Sequence, residues 1–111
     1  QYRRGDLAAA LQGVNGLISQ APNDPYFHEL KGQMLYENGR VQESAAAYEA
    51  AVALLPNDPA LMGPAAKAMM EAGGAERTTR AIQMLERVTL LEPRNPSALD
   101  MLLKRLATVS D

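Results

Sequence analysis

The run "PNDPYFHELKGQMLYENGRVQESAAAYEAAVALLPNDP", residues 22–59, decides the fold. It opens and closes on the same four letters, and a glycine, Gly39, sits near its middle. Proline cannot continue a helix, so Pro22 and Pro56 mark helix ends. Asp24 and Asp58 are placed to cap the helices that follow by accepting a backbone N–H bond. Pro25 and Pro59 then fit the first helical position, where no N–H is needed. Gly39 suits a helix C-terminus. The stretch therefore reads as helix, glycine turn, helix, proline turn.

The pattern extends outward. "PRNP" at 93–96 repeats the mark a third time, with Asn95 as the cap and Pro96 behind it. The spacings between marks are 34 and 37 residues, and such periods signal stacked repeats. "EAGGAE" at 71–76 supplies a second glycine break, and "RRGD" at 3–6 a third near the start. The helices are expected over 6–20, 25–38, 41–54, 59–72, 76–91 and 96–109. Val41, Ala45, Tyr48, Ala51, Val52 and Leu55 form one apolar stripe at helical spacing. Ala81, Ile82, Leu85, Val88 and Leu91 form another. Glu76 and Arg80 make a favourable i,i+4 pair. Gly13 and Gly16 each cost about 1 kcal/mol against alanine, so close packing is expected against them. Gly63-Pro64 is expected to delay or kink the helix that begins at Pro59.

Composition narrows the function. The chain has 111 residues and a formal charge of −2, which suits one domain with a modest core. The small net charge and a pI near 5.4 argue against a nucleic-acid partner. No apolar run reaches the ~20 residues a membrane helix needs, so membrane insertion is not expected. There is no cysteine and one histidine, His28. The letters His28-Glu29 begin an H-E-x-x-H zinc motif, but the position that needs a second imidazole is Gly32. No D-x-[DN]-x-[DN]-G calcium loop is present. His28 therefore reads as a half-buried helix residue, and neither a catalytic residue, a metal nor a cofactor is expected in this chain.

A 34-residue helix–turn–helix unit closing on proline resembles the tetratricopeptide repeat, or TPR. In 25–58 the resemblance rests on Gly32, Leu35, Gly39, Ser44, Tyr48, Ala51 and Pro56. His28 and Lys31 stand where the family carries an aromatic and a leucine, with Phe27 and Leu30 one residue earlier. In 59–95 it rests on Met62, Ala65, Ala66, Met69, Gly73, Ala81, Leu85, Val88 and Pro93, with a three-residue insertion around 73–75. Residues 1–24 supply the second half of a repeat, through Gly5, Ala10, Val14, Leu17 and Pro22. Residues 96–111 supply the first half of another, through Leu99, Leu102, Leu103 and Leu106. The resemblance implies an all-α, right-handed solenoid of six antiparallel helices.

It also implies a protein or peptide partner held on a concave surface lined by the first helix of each pair. Carried over, that surface comprises Tyr26, Glu29, Gln33, Tyr36 and Glu37, then Gly63, Lys67 and Met70, then Asp100 and Lys104. Tyr26 and Tyr36 are the expected hot spots, because tyrosine buries area and keeps a hydroxyl to pair. Chaperone-adaptor repeats clamp a terminal carboxylate with lysines and asparagines. Here Glu29 and Gln33 stand on that surface and only Lys67 and Lys104 are cationic, so such a clamp is not expected. "LDMLL" at 99–103 and Met62, Met69, Met70 and Met84 read as core stripe rather than as docking motifs.

More narrowly, the run from 23 to 57, with "YRRGDLAAAL" before it, resembles the C-terminal repeats of bacterial periplasmic zinc metallopeptidases of the BepA and HtpX type. That resemblance implies a docking domain in the periplasm, with zinc held by a catalytic domain upstream of Gln1. A free-standing adaptor in envelope or cytochrome assembly is the alternative. Solenoid ends need capping neighbours, so the terminal half-repeats are expected to self-associate.

Overall fold

In the computed structural model the described residues are 4–94, 96 and 99–104, and among them every regular element is a helix. Five helices follow in order: α1 Arg4–Gln20, α2 Pro25–Glu37, α3 Val41–Leu54, α4 Pro59–Ala72 and α5 Ala75–Leu91. A sixth, α6, covers 99–104. Short turns make neighbours antiparallel, and each of α1 to α4 packs against the next in sequence. Asn95 and Leu106, and the end expected at 109, lie outside the described residues. Among the described residues, no helix is long and apolar enough to cross a membrane.

The punctuation works as its chemistry dictates. The Asp24 carboxylate accepts from Tyr26 N at 3.0 Å, and the Asp58 carboxylate from Ala60 N at 3.0 Å. Pro25 and Pro59 each stand just inside the capped end. At the end of α2, Gly39 takes φ +78°. The Gly39 and Arg40 amides then bond back to Tyr36 O and Leu35 O, which closes the helix.

The core lies along the α3–α4–α5 seam. Ala45, Tyr48 and Ala51 of α3 meet Met62, Ala65 and Met69 of α4 and Ala81, Leu85 and Val88 of α5. Met62 and Met69 are fully buried, as core filler, and Leu102 of α6 is buried while Leu99 and Leu103 are exposed. A smaller cluster, Leu7, Val14 and Met34, joins α1 to α2. Leu55 and Leu91, expected in the apolar stripes, are instead exposed at the ends of α3 and α5. Each is the last apolar residue before a proline turn, where the chain leaves the seam.

Three expectations are corrected. Gly5 ends no helix, because α1 already begins at Arg4. Gly13 and Gly16 meet no close packing: both are exposed, and a Cβ on either would find open space. Only one side of α1 is buried, and these two glycines lie off it. α4 starts at Pro59 without delay and is helical through to Ala72. Pro64 removes a single donor, the partner of Ala60 O, and Ala60 lies at an exposed position where water can replace it. The three extra residues expected around 73–75 in the second full repeat are taken up by the helix. Gly73 and Gly74, at φ +83° and +91°, make a tight turn, and the addition lengthens α5 to 17 residues against 14 in α3. Tyr48 and Leu85 stand equally far before Pro56 and Pro93, so the addition falls at the start of α5.

Candidate functional site: an aromatic and acidic cleft

The first helices of the repeats leave an open cleft of about 570 Å³. Its α2 wall carries Glu29, Gln33, Tyr36 and Glu37, and its α4 wall carries Gly63, Pro64 and Lys67. The α2 residues 29, 33 and 37 recur every four positions, which keeps them on one face of the helix. Tyr48 of α3 forms part of the floor, and Met101 of α6 closes one end.

The packing beneath holds α2 in place. Gly32 faces α3, where the Tyr48 ring lies across it. The Ser44 hydroxyl, also buried, donates to Gly32 O at 2.7 Å. A glycine and a small polar residue thus let the α2 backbone approach α3 closely, with its carbonyl satisfied.

Two side chains of α4 fix Tyr36. Its hydroxyl donates to Glu71 Oε2 at 2.5 Å. The Lys67 ammonium stands 5.5 Å from the ring centroid, over the ring, in a cation–π contact. Burial, then the hydrogen bond to Glu71 and its charge, push the Tyr36 pKa up to about 12. Burial also raises that of Tyr48 to about 12, and the carboxylates of Glu29 and Glu37 add to the shift. Both phenols are therefore neutral donors at ordinary pH.

The structure brings together Glu29, Gln33, Tyr36, Glu37, Gly63 and Lys67, all expected on the concave surface. It leaves four others out. Tyr26 is 60 % exposed and lies against Phe27 edge-on, outside the cleft. Met70 packs against the core. Asp100 and Lys104 pair with each other at 3.0 Å on α6, where Met101 faces the cleft instead. Sequence reasoning missed Tyr48, Met101 and Glu71 as parts of this site. Glu71 was within reach, since it follows Lys67 by four residues on the same helix face.

The far side of the array is held by charge. Arg77 of α5 bonds Glu49 Oε1 at 2.8 and 3.2 Å through Nη2 and Nε, and its Nη1 donates to Gln42 at 3.2 Å. Arg80 Nη2 lies 2.7 Å from Glu49 Oε2, an ion pair without hydrogen-bond alignment, and 3.7 Å from Glu76. The expected Glu76–Arg80 pair is thus present but secondary. His28 Nε2 donates to Pro22 O at 2.9 Å and so ties α2 to the preceding turn.

Comparison with known proteins agrees with this architecture. Two sequence profiles described as tetratricopeptide repeat match residues 1–59 and 35–106. A solved structure, the first TPR of Spaghetti (RPAP3) bound to HSP90 peptide SRMEEVD, superposes with a TM-score of 0.80. The match covers 97 % of this chain and 83 % of that one at 19 % identity. The cytochrome c-type biogenesis protein CycH of Rhizobium meliloti (strain 1021) is 32 % identical over 97 residues, 81 % of this chain. The chain spans about a quarter of that relative's length, 26 %. The metallopeptidase resemblance finds no support in these matches. With its helices in the expected order and a repeat profile over most of its length, the chain belongs to the tetratricopeptide-repeat family of protein-interaction scaffolds.

Proposed function

We propose that this domain holds a peptide segment of a client protein during the assembly of c-type cytochromes in a bacterial envelope. The observation that carries the peptide-holding part is the cleft itself. Its Tyr36 ring is fixed from two sides, and its walls carry polar groups but no nucleophile–base pair. A solved TPR of the same fold holds a peptide. The similarity to CycH supports the cytochrome setting and, with it, a periplasmic location. The domain contributes binding energy only, by raising the client's effective concentration beside the rest of its assembly machinery. The alternative, a docking domain of a periplasmic zinc metallopeptidase, rests on the residue run 23–57 and the "YRRGDLAAAL" before it.

The test uses the full-length parent protein in its own host. Tyr36→Ala is expected to lower the level of mature c-type cytochromes, while Tyr26→Ala leaves it near wild type. A hot-spot tyrosine is worth about 2 kcal/mol or more of affinity. Unchanged cytochrome levels in the Tyr36 variant would overturn the assembly reading. A selective loss of zinc-dependent proteolysis instead would restore the metallopeptidase one.

A further inference from the structure

The charges in the cleft are not evenly engaged. Lys67, the one cation lining it among the described residues, rests on the Tyr36 ring. Glu71, one turn further along α4, accepts from the Tyr36 hydroxyl. By contrast, Glu29 and Glu37 make no hydrogen bond or ion pair among the described residues, although both line the cleft. The arginines of α5 cannot neutralise them. Arg77 and Arg80 are drawn to Glu49, Arg87 donates to Asn57, and no residue of α5 lines the cleft. The concave side thus presents free negative charge beside aromatic rings, while the basic side chains of α5 are held elsewhere.

We propose that the cleft takes an extended peptide segment bearing two basic side chains, one at Glu29 and one at Glu37. This assignment rests on the peptide-holding reading above and adds the chemistry of the peptide. Eight helical positions separate the two carboxylates, about 12 Å along α2. An extended strand covers that distance in about four residues. Gln33 stands midway on the same face, with an amide that can both donate to and accept from a peptide backbone. A lysine or arginine at the Glu37 end meets a carboxylate close to the half-exposed Tyr36, and one at the Glu29 end completes the match. The aliphatic stems of such side chains lie well on Pro64 and Met101, because basic residues bury their methylenes and keep the charged head paired. That Glu29 and Glu37 both act on the buried Tyr48 phenol places the two charges near the cleft floor. A terminal carboxylate would meet the same two charges with the wrong sign.

The experiment measures fluorescence anisotropy of the domain with three blocked or free short peptides. One carries two lysines about four residues apart, one replaces both by glutamine, and one is acidic with a free terminal carboxylate. The dibasic peptide is expected to bind best and to weaken steadily with added salt. Glu29→Gln with Glu37→Gln is expected to weaken it about tenfold or more and to leave the glutamine peptide unchanged. Both carboxylates sit on a partly or fully exposed helix face, so the helical circular-dichroism signal should not change. Dibasic binding that is indifferent to the double substitution, or tighter binding of the acidic peptide, would overturn the proposal. If the acidic or neutral peptide binds better and still responds to Tyr36→Ala, the peptide-holding cleft stands and only its basic preference falls. If none of the three peptides responds to Tyr36→Ala, both readings fall together.

Discussion

The Tyr48 ring lies so close over Gly32 that a Cβ on the glycine would come within 2.8 Å of Tyr48 Cδ2. The contact joins α2 to α3 directly beneath the cleft. Gly32→Ala must therefore displace the buried Tyr48 ring. The expected cost is about 1–3 kcal/mol, as for other overpacked core sites. Chemical denaturation of the purified domain measures it. A neutral result would mean that the ring moves freely.

Gly13 and Gly16 predict the opposite sign. Both are helical, neither needs positive φ, and a Cβ on either meets nothing. Replacing each by alanine should stabilise the domain by up to about 1 kcal/mol, through lower unfolded-state entropy and better helix propensity. Thermal melts of the single and double variants check this. A loss of stability would show that this face of α1 is packed in solution.

Glu49 receives two guanidinium groups from α5 while only 17 % exposed. Glu49→Ala leaves Arg77 and Arg80 facing one another without their shared anion. The expected loss is about 1.5–3 kcal/mol, the range for hydrogen bonds to charged groups. The double variant with Arg77→Ala should lose less than the sum of the two single losses, and a double-mutant cycle reads the coupling.

Alkaline pH should weaken the fold. The Tyr36 and Tyr48 pKa values rise from 10.0 to about 12, so the folded state keeps two phenolic protons that the unfolded chain gives up first. Between pH 10 and 12 the unfolded state binds fewer protons, and stability falls as pH rises. It is fully present below 10. Denaturation midpoints across this window should show the decline, and Tyr36→Phe should make it shallower.

Isolated domains are expected to associate through the α5–α6 end. Leu90, at 82 % exposure, stands with Leu91, Leu99 and Leu103 as uncovered apolar surface. Sedimentation velocity should show a mass that increases with concentration. Leu90→Glu with Leu103→Glu should return it to a monomer. A monomer at all concentrations in the unaltered chain would remove the idea.

The boundaries of α2 to α5 were legible because proline, aspartate and glycine act through their immediate neighbours. Asp24 and Asp58 cap two residues ahead, and Pro25 and Pro59 need no partner beyond their own ring. The α2 wall of the cleft was legible for a related reason, since periodicity fixes which residues share a face. Less legible was everything decided by packing between helices. Tyr36 finds Glu71 across 35 positions, and Arg77 finds Glu49 across 28. No local pattern encodes those distances. Tyr26 does not line the cleft, because periodicity gives a direction from a helix but not the extent of the neighbour it faces. Its ring lies against Phe27.

The three residues added to the start of α5 are close to one helical turn, about 300° of rotation and about 4.5 Å of length. An addition of that size preserves rotational phase: Ala81, Leu85 and Val88 still face the seam. A gain of one or two residues at the same place would rotate the added segment away from α3. The new turn is also not inert, because it carries Arg77, which reaches back to Glu49 and Gln42. Length variation between repeats is thus quantised by helix geometry. Here one quantum became a strut between repeats, whereas in the standard-length unit the residue at the same distance before its proline, Arg40, stands at the N-cap of its own helix and pairs with Glu43.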